Sequence, residues 1–353
     1  MMQPVRIGNR LVGPGQPPFI IAEACVNHQG DPDHAKRMVH VAHAMGADAI
    51  KFQLHLPERE MLRVVPASHN FEEPLWEILV KTDLSLDTHR QLKALCEQLG
   101  ILYLCTPFSR EAADLLDGLG VVAFKTGSGE LTNLPMQEHI AKKGKPMIVS
   151  TGMCTEDEIR ETVELITGLK TPLILTHCVS AYPAPYRITN LNLIPKYHER
   201  FQVPIGLSDH SRGIYTALGA VALGACVIEK HFTLDRMQKG PDHPVSIEPD
   251  ELAELVKGAA AVCQALGSER KIFKEEEQIV AWARESVVSE VPIRKGTVIG
   301  EGMVWVKRPS PGPNGIPAKA LRQVIGSVAR RDIPKDTQLQ WQDVDMAEAV
   351  SRA

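Results

Sequence analysis

Residues 206–232 read GLSDHSRGIYTALGAVALGACVIEKHF, and they contain the structural unit that recurs through most of the chain. The stretch holds the ends of two apolar runs, one stopping just before His210 and one reaching His231. Between the two runs lie small residues in a helical pattern. Apolar runs with little alternation are typical of strands that are buried on both faces. We therefore predict two parallel strands joined by a helix, with one histidine at the carboxyl end of each strand.

The same kind of apolar run occurs eight times along the chain. The strand candidates are residues 19–24, 48–54, 101–106, 121–126, 145–150, 172–177, 203–208 and 226–232. Amphipathic stretches such as 34–46 and 156–168 separate most of them, and several of these stretches end in glycine, a common helix stop. Strands that alternate with helices predict an α/β fold, and eight of them predict a (β/α)8 TIM barrel. A doubly wound open sheet is the alternative.

The character of the sequence changes after a charged stretch at residues 271–278. Residues 291–304 and 331–344 align at a spacing of 40 and share the pattern I-x-K-[GD]-T followed by alternating residues. Two copies of a short turn-and-strand unit predict a small β-rich domain with internal two-fold symmetry. The predicted domains are a catalytic barrel at 1–272, a linker at 273–285 and the small β-rich domain at 286–353.

The composition of the chain argues against several classes of binding partner. The 353 residues carry a net charge of −4, and no basic cluster of the kind that binds nucleic acid or an anionic membrane is present. The amino terminus has no apolar signal core, and no apolar run approaches the length of a membrane span. The seven cysteines are scattered, without a CxxC pair, as in a reducing compartment. We predict a cytoplasmic protein with neither a nucleic-acid nor a membrane partner.

The two histidines of the opening stretch are candidate metal ligands. Neighbouring parallel strands lie about 4.8 Å apart, so His210 and His231 at equivalent heights can share one divalent ion. Asp209 or Glu229 could orient or supplement such a site. The alternative is two independent histidines, one capping the helix that follows and one lying at the barrel rim. The residues alone leave both interpretations open.

Two turns rich in Gly, Ser and Thr leave the fourth and fifth predicted strands. They read KTGSGE (125–130) and STGM (150–153). Backbone N–H groups in such turns, together with Lys51 or Lys125, can bind a phosphate group. The alternative is a pair of ordinary tight turns in which glycine supplies a positive φ. Two cationic side chains and a second hydroxyl-bearing turn favour the phosphate interpretation.

The ordered motifs of the chain resemble those of the sialic acid synthase family. The motifs are IIAEACVNHQG, KFQLH, CTPFS, KTGSGE, STGM, HCVSAYPAPY, GLSDHSRG, EKHFTLD and KGPDHPVSIEP. The tail, with WVKRP at 305–309 and its internal repeat, is similar to the antifreeze-like (SAF) domain that these synthases carry. The resemblance covers nearly the full chain.

The resemblance implies a transferase that forms a carbon–carbon bond. Phosphoenolpyruvate would add through its C3 to the aldehyde of an open-chain N-acetylmannosamine-type aldose. Water would add at C2, and phosphate would leave by C–O cleavage. The product would be a nine-carbon 2-keto sugar acid, N-acetylneuraminate or a close relative such as legionaminate.

The resemblance also implies roles for individual residues. Mn²⁺ or Mg²⁺ on His210 and His231 would polarise the aldehyde, and Glu23 would handle protons or stabilise charge at C2. The positions that match contacts to phosphoenolpyruvate are Lys51, Thr106, Lys125, Ser128, Ser150 and Ser208. The positions that match contacts to the sugar are Gln53, Ser180, Tyr182, Asp242 and Arg308. Arg308 lies in the tail, which in this family reaches the partner's barrel, so a domain-swapped homodimer is implied.

One position departs from the common bacterial pattern. Ser180, in HCVSAYP, stands where many bacterial members carry an asparagine that contacts the acyl-amino group of the sugar. The identity of the aldose therefore stays open. Two other functions are considered: a Schiff-base aldolase that uses Lys125 or Lys230 as the nucleophile, and a non-catalytic protein that binds a sugar or phosphate.

Overall fold

The computed structural model describes residues 3–66 and 73–346. The chain divides into two compact units after Gly267. The domain limits that we placed at residues 272 and 285 stay predictions, and the segment predicted as a linker contains the helix Lys274–Ala283. Within the described ranges, no helix combines the length and the apolar character that crossing a bilayer requires.

A short hairpin precedes the barrel strands and consists of β1 (Val5–Ile7) and β2 (Arg10–Val12). Val5, Ile7 and Val12 are buried against the inward-facing apolar residues at the amino-terminal ends of the barrel strands. The hairpin thereby closes the end of the barrel opposite to the predicted site. This hairpin is not predicted from the sequence.

In the described residues, eight parallel strands form the barrel in chain order. They are β3 (Phe19–Glu23), β4 (Ala49–Leu54), β5 (Leu102–Pro107), β6 (Phe124–Thr126), β7 (Met147–Ser150), β8 (Leu173–Cys178), β9 (Ile205–Asp209) and β10 (Val227–His231). The last strand pairs with the first, with His231 beside Glu23. No backbone ladder joins β5 to β6 within the described residues, so the ring is nearly closed. The predicted (β/α)8 barrel is confirmed.

Helices lie between the strands. They are α1 (Pro32–Ala44), α2 (Pro57–Glu60), α3 (Leu75–Thr82), α4 (Leu86–Leu99), α5 (Arg110–Leu119), α6 (Leu134–Ala141), α7 (Glu156–Gly168), α8 (Leu193–Phe201), α9 (Tyr215–Ala222) and α10 (Pro249–Ala265). Three of them, α2 to α4, follow β4 in succession. Local chemistry sets their limits. A capping box between Thr155 and Glu158 starts α7, and Gly100 ends α4 with φ +83°.

The second unit contains short strands and two helices among its described residues. These elements are α11 (Lys274–Ala283), β11 (Ser286–Ser289), β12 (Val304–Lys307), α12 (Leu321–Val324), β13 (Val328–Ala329) and β14 (Val344–Asp345). Ile293 and Ile333, which are equivalent in the repeat, pair with each other, and the N–H of each donates to the carbonyl of the other at 2.8 Å. Gly296 and Asp336 occupy equivalent turns with φ +82° and +56°. The repeat thus folds with the predicted two-fold symmetry.

Candidate active site

A cavity of about 570 Å³ opens at the carboxyl ends of the barrel strands. This is the end of a (β/α)8 barrel at which catalytic residues converge. All the predicted site residues that belong to the barrel line this cavity. They are Glu23, Lys51, Gln53, Thr106, Lys125, Ser128, Ser150, Ser180, Tyr182, Ser208, His210, His231 and Asp242. Their roles stay predictions, but the fold brings them together.

Lys51 is buried in the wall of the cavity and is held from three sides. Its Nζ lies 2.5 Å from Glu23 Oε2 and 3.8 Å from Glu229 Oε1. It also donates to Thr106 Oγ1 at 2.9 Å. Burial opposes the charged form, but Glu229 and Glu23 outweigh that effect and raise the pKa of Lys51. Lys51 therefore remains a fixed cation.

Lys125 supplies a second buried cation. Its Nζ donates to Ser150 Oγ at 2.6 Å and lies 3.7 Å from Glu229 Oε1. Ser150 Oγ lies 2.9 Å from Thr176 Oγ1 and 3.0 Å from Ser208 Oγ, which forms a chain of hydroxyl groups beside the amine. Ammonium and hydroxyl donors close together are the groups that bind phosphate and carboxylate oxygens.

The two glutamates between these lysines differ in their affinity for protons. Burial raises the pKa of Glu23 to about 7, although Lys51 acts in the opposite direction. Burial also disfavours the charge of Glu229, but Lys125 and Lys51 outweigh it, and the pKa of Glu229 is lowered. Two carboxyl groups whose pKa values are driven apart in one cavity can serve different proton-transfer roles. Glu23 is the group poised to exchange a proton near neutral pH.

His210 and His231 come together as the opening stretch predicts, with ring centroids 5.3 Å apart. His210 Nδ1 lies 2.8 Å from the Val179 carbonyl oxygen, which can only accept, so Nδ1 carries a proton and Nε2 is the nitrogen that can bind a metal ion. Burial opposes the charge of His210, but Cys178 and the Val179 carbonyl outweigh it and raise the pKa of His210, so a metal ion would compete with a proton for Nε2. His231 is buried, and its Nδ1 has no hydrogen-bond partner among the described residues. Burial and His210 lower the pKa of His231, so its imidazole is neutral. Both rings fit the role of ligand to a divalent ion.

Cys25 and Asp242, from two other segments, bring donor atoms close to a ring nitrogen of His231. The Cys25 sulfur, an Asp242 carboxylate oxygen and a ring nitrogen of His231 lie within 4.8 Å of one another. Cys25 follows β3, and Asp242 precedes the 3-10 helix His243–Val245. Loops after different strands therefore bring two further donors to His231.

The outer part of the cavity is mostly apolar. Its wall is formed by Met61, Leu75, Ile78, Leu79 and Phe108, and α3 contributes three of these side chains. Phe108 stacks on the ring of His55 with centroids 4.1 Å apart.

His55 in turn lies between polar partners. Its Nδ1 lies 2.7 Å from Glu60 Oε1, and its Nε2 lies 2.9 Å from Gln53 Oε1. His55 thus links the outer wall to Gln53, which donates to Glu23 Oε1 at 3.2 Å.

Comparison with known protein families identifies the family to which the chain belongs. Residues 38–271 match the NeuB family, and residues 284–345 match the SAF domain. The chain belongs to the NeuB family. The predicted resemblance to sialic acid synthases and the predicted barrel-plus-SAF architecture are therefore confirmed.

Relatives of this NeuB-family chain include synthases of several sugar acids. The N,N'-diacetyllegionaminic acid synthase of Campylobacter jejuni is 39% identical over 90% of this chain and 97% of its own length. The N-acetylneuraminate-9-phosphate synthase of Homo sapiens is 36% identical over 95% of each chain. A crystal structure of N-acetylneuraminic acid synthetase from Leptospira borgpetersenii is 35% identical and superposes with a TM-score of 0.71, covering 79% of this chain and 96% of that one.

Asp209, considered as a supplement to the metal site, and Lys230, considered as an aldolase nucleophile, both lie outside the cavity of this NeuB barrel. Lys230 is buried outside the cavity, where its Nζ lies 2.9 Å from Asp209 Oδ2 and donates to the Ser211 carbonyl. Asp209 accepts from Thr216 Oγ1 at 2.6 Å as well. Asp209 therefore stabilises the strand–helix junction and does not supplement the histidine pair. For the same reason, Lys230 is unsuited to be an aldolase nucleophile.

Arg308 lies in the SAF unit of this NeuB-family chain. Within that unit its guanidinium carbon lies 5.4 Å from the centroid of the Trp282 ring, and its Nε donates to the Ala283 carbonyl at 3.2 Å. Its predicted contact with the sugar of a partner subunit stays a prediction.

Prediction from the sequence missed or misassigned some residues of this NeuB site. Glu229 was considered only as a supplement to the metal, but it lies between the two buried lysines. The EKH triplet of β10 carried the signal, because alternation along a strand places Glu229 and His231 on one face and Lys230 on the other. Cys25 and the apolar wall contributed by α3 had no chemical signature that sequence reasoning could have used.

Proposed function

We propose that this chain condenses phosphoenolpyruvate with an N-acetylmannosamine-type aldose. C3 of phosphoenolpyruvate forms a bond to the aldehyde carbon, whose oxygen takes up a proton. Water adds at C2, and the C2–O bond to phosphate breaks. The products are inorganic phosphate and a nine-carbon 2-keto sugar acid of the sialic or legionaminic type. The synthase names of the relatives support this class of reaction.

The observation that carries the proposal is the pair of buried lysines beside the chain of hydroxyl groups. Lys51 and Lys125 are each almost completely buried, and each lies within 4 Å of Glu229. Two buried cations beside the same carboxylate oxygen suit a small ligand that carries several negative charges, as phosphoenolpyruvate does. Ser150 and Ser208 add hydroxyl donors, and Ser128 Oγ accepts from the Gly152 N–H at 3.0 Å in the neighbouring turn.

Glu23 is assigned the proton transfer at C2. Its pKa of about 7 lets its carboxylate accept a proton from the attacking water and return it later. Gln53 Nε2 donates to Glu23 Oε1, and Lys51 contacts Glu23 Oε2, so both oxygens are held in place. Glu229, which stays ionised, offsets the positive charge that develops at C2 as water adds.

The histidine pair is assigned a divalent ion. His210 and His231 would hold Mn²⁺ or Mg²⁺, and the ion would supply Lewis-acid polarisation of the aldehyde. The unpartnered Nδ1 of His231 and the fixed tautomer of His210 fit such a role. Tyr182, whose ring centroid lies 4.1 Å from that of His210, forms the adjoining wall for the sugar.

The outer wall favours an aldose without a phosphate group. Among the described residues that line the cavity, the only lysines or arginines are Lys51 and Lys125, and both are assigned to phosphoenolpyruvate. The outer part offers Glu60 and Glu130 instead, which would repel a sugar phosphate. An acetamido or deoxy sugar presents methyl groups that the apolar wall can bury. The proposed substrate is therefore N-acetylmannosamine or a diacetamido deoxy relative.

Phosphate release from phosphoenolpyruvate tests the proposal. The purified chain is incubated with N-acetylmannosamine, its 6-phosphate, 2,4-diacetamido-2,4,6-trideoxymannose and mannose, and the products are identified by mass. We expect a nine-carbon keto acid from an unphosphorylated acetamido sugar. Release with none of the sugars, or a clear preference for the 6-phosphate, would contradict the proposal. Trapping with borohydride and pyruvate tests the aldolase alternative and should label nothing at Lys125.

A further inference from the structure

Cys25 brings a sulfur atom to the wall of the catalytic cavity. Its side chain is 7% exposed, and its backbone has φ +45°, a left-handed conformation that non-glycine residues seldom adopt. The turn that contains it runs from the end of β3 to Asn27, whose N–H donates to the Ala24 carbonyl. This backbone presents the thiol to the cavity beside His231 and Asp242.

The spacing of the three side chains suits one metal ion. Their donor atoms lie within 4.8 Å of one another. A zinc ion bonds to sulfur at about 2.3 Å and to nitrogen or oxygen at about 2.0–2.2 Å, so two of its donors lie at most about 4.5 Å apart. Small side-chain rotations would therefore bring all three donors to one ion.

A second observation at the same place points to a ligand. His231 is only 7% exposed, and its Nδ1 has no hydrogen-bond partner within the described ranges. A buried polar atom without a partner costs free energy unless something binds it. A cation that is also contacted by Cys25 and Asp242 would accept its lone pair.

We propose that Cys25 and Asp242 join His231 as ligands of the divalent ion assigned above to the histidine pair, and that this ion is therefore Zn²⁺ or Co²⁺ in preference to Mg²⁺. Thiolate is a soft ligand that selects such ions, whereas Mg²⁺ requires six hard oxygen donors. The inference rests on the proposed function for the role of the ion, and it deepens that function by naming the metal class.

The test uses spectroscopy and is independent of turnover. The full chain is reduced, stripped with EDTA and titrated with Co²⁺ without oxygen. We expect a thiolate-to-cobalt charge-transfer absorption in the near ultraviolet that saturates at one ion per chain and disappears on addition of Zn²⁺. Cys25→Ser and Cys25→Gly should both lack the absorption. Zn²⁺ affinity should fall at least about tenfold in both, the loss that even a residue orienting a ligand produces.

Two controls keep the result interpretable. Glycine adopts φ +45° without strain, so Cys25→Gly should fold even if the serine variant does not. Cys178→Ser removes another thiol of the same cavity, which lies 3.8 Å from His210 Nδ1, and it should keep the absorption. An absorption absent from wild type, retained in Cys25→Gly, or lost in Cys178→Ser would overturn the proposal.

A parallel assay separates this proposal from the proposed function. Phosphate release from phosphoenolpyruvate is measured with the same preparations. If the absorption appears but no aldose is turned over, the metal ligands stand and the proposed function fails. If an aldose is turned over by a chain that shows no charge-transfer absorption, the proposed function stands and the thiolate ligand is rejected.

Discussion

Lys51 and Glu23 are register partners on β4 and β3, and their side chains form a buried ion pair with Nζ and Oε2 2.5 Å apart. The pair is buried in the cavity that phosphoenolpyruvate is proposed to enter. A fixed cation therefore contacts a carboxyl group whose pKa burial raises to about 7. This arrangement makes Glu23 the most informative residue to change.

Glu23→Gln keeps the shape and most hydrogen bonds of the side chain but removes its charge. General acid–base catalysis contributes about 10²–10⁴-fold, so kcat should fall on that scale, while the KM for phosphoenolpyruvate should change little. Steady-state kinetics with the preferred aldose measures both constants. A kcat within a few-fold of wild type would remove Glu23 from the mechanism.

The pKa of Glu23 also sets the direction of the pH dependence. The ionised carboxylate is the form that accepts a proton from water, and it is lost as the pH falls through about 7. The pH dependence of kcat/KM reports the pKa values of groups in the free enzyme. We therefore expect kcat/KM to decrease about tenfold per pH unit below that value. The Glu23→Gln variant should lose this acidic limb. A limb that persists in the variant would assign the titration to another group.

Removal of the metal should stop turnover without unfolding the barrel. His210→Ala and His231→Ala should each abolish activity, because both residues line the cavity and neither is part of the apolar core. EDTA should inactivate the wild type, and added divalent ion should restore it. Circular dichroism checks the fold of each variant. Full activity in metal-free protein would contradict the assignment of the histidine pair.

Lys230 should matter for stability. Lys230→Met leaves Asp209 buried with a charge that has lost its cation, a loss of about 3–5 kcal/mol in the free energy of unfolding. Lys257→Met is the matched control, because its side chain is 79% exposed and should cost little. Urea denaturation compares the two variants. A Lys230 variant as stable as the control would show that the ion pair contributes nothing.

Arg308 tests the predicted exchange of domains between subunits. Loss of a charge-assisted hydrogen bond to the sugar costs about 1.5–3 kcal/mol, so Arg308→Ala should raise the sugar KM by about 10–100-fold and leave that of phosphoenolpyruvate nearly unchanged. Mixing this variant with His231→Ala should restore part of the activity. Arg294→Ala, also exposed in the SAF unit, is the control.

A local role for Arg308 makes the opposite prediction. If the guanidinium only packs on Trp282 and bonds to the Ala283 carbonyl, Arg308→Ala keeps the wild-type sugar KM and mixed subunits show no rescue. A monomer with full activity, measured by light scattering, would also reject the exchange of domains.

Much of the barrel could be predicted from sequence because strand burial leaves a direct pattern. Apolar runs marked every barrel strand to within a few residues, and polar residues at their ends marked the cavity. The side that each residue faces was harder to assign. Alternation along β10 places Glu229 and Lys230 on opposite faces, but only the side-chain contacts show that Glu229 lies beside the lysines of the cavity while Lys230 pairs with Asp209.

Other features depend on contacts between distant segments. Cys25 and Asp242 are more than two hundred positions apart, and nothing in the sequence of either segment indicates that they meet at His231. The hairpin Val5–Ile7 and Arg10–Val12 was missed because each of its strands has only three residues. Its burial comes from the barrel that it closes.

The pairing of Ile293 with Ile333 has an implication for how the small domain came about. Equivalent residues meet in this way on the symmetry axis of a homodimer, where each subunit contributes the same surface. The SAF unit therefore has the geometry of a dimer whose two chains have been joined end to end. A peptide carrying one copy of the repeat would expose its half of this contact and should gain structure only by associating with itself. Duplication followed by fusion would have made that association permanent and independent of concentration.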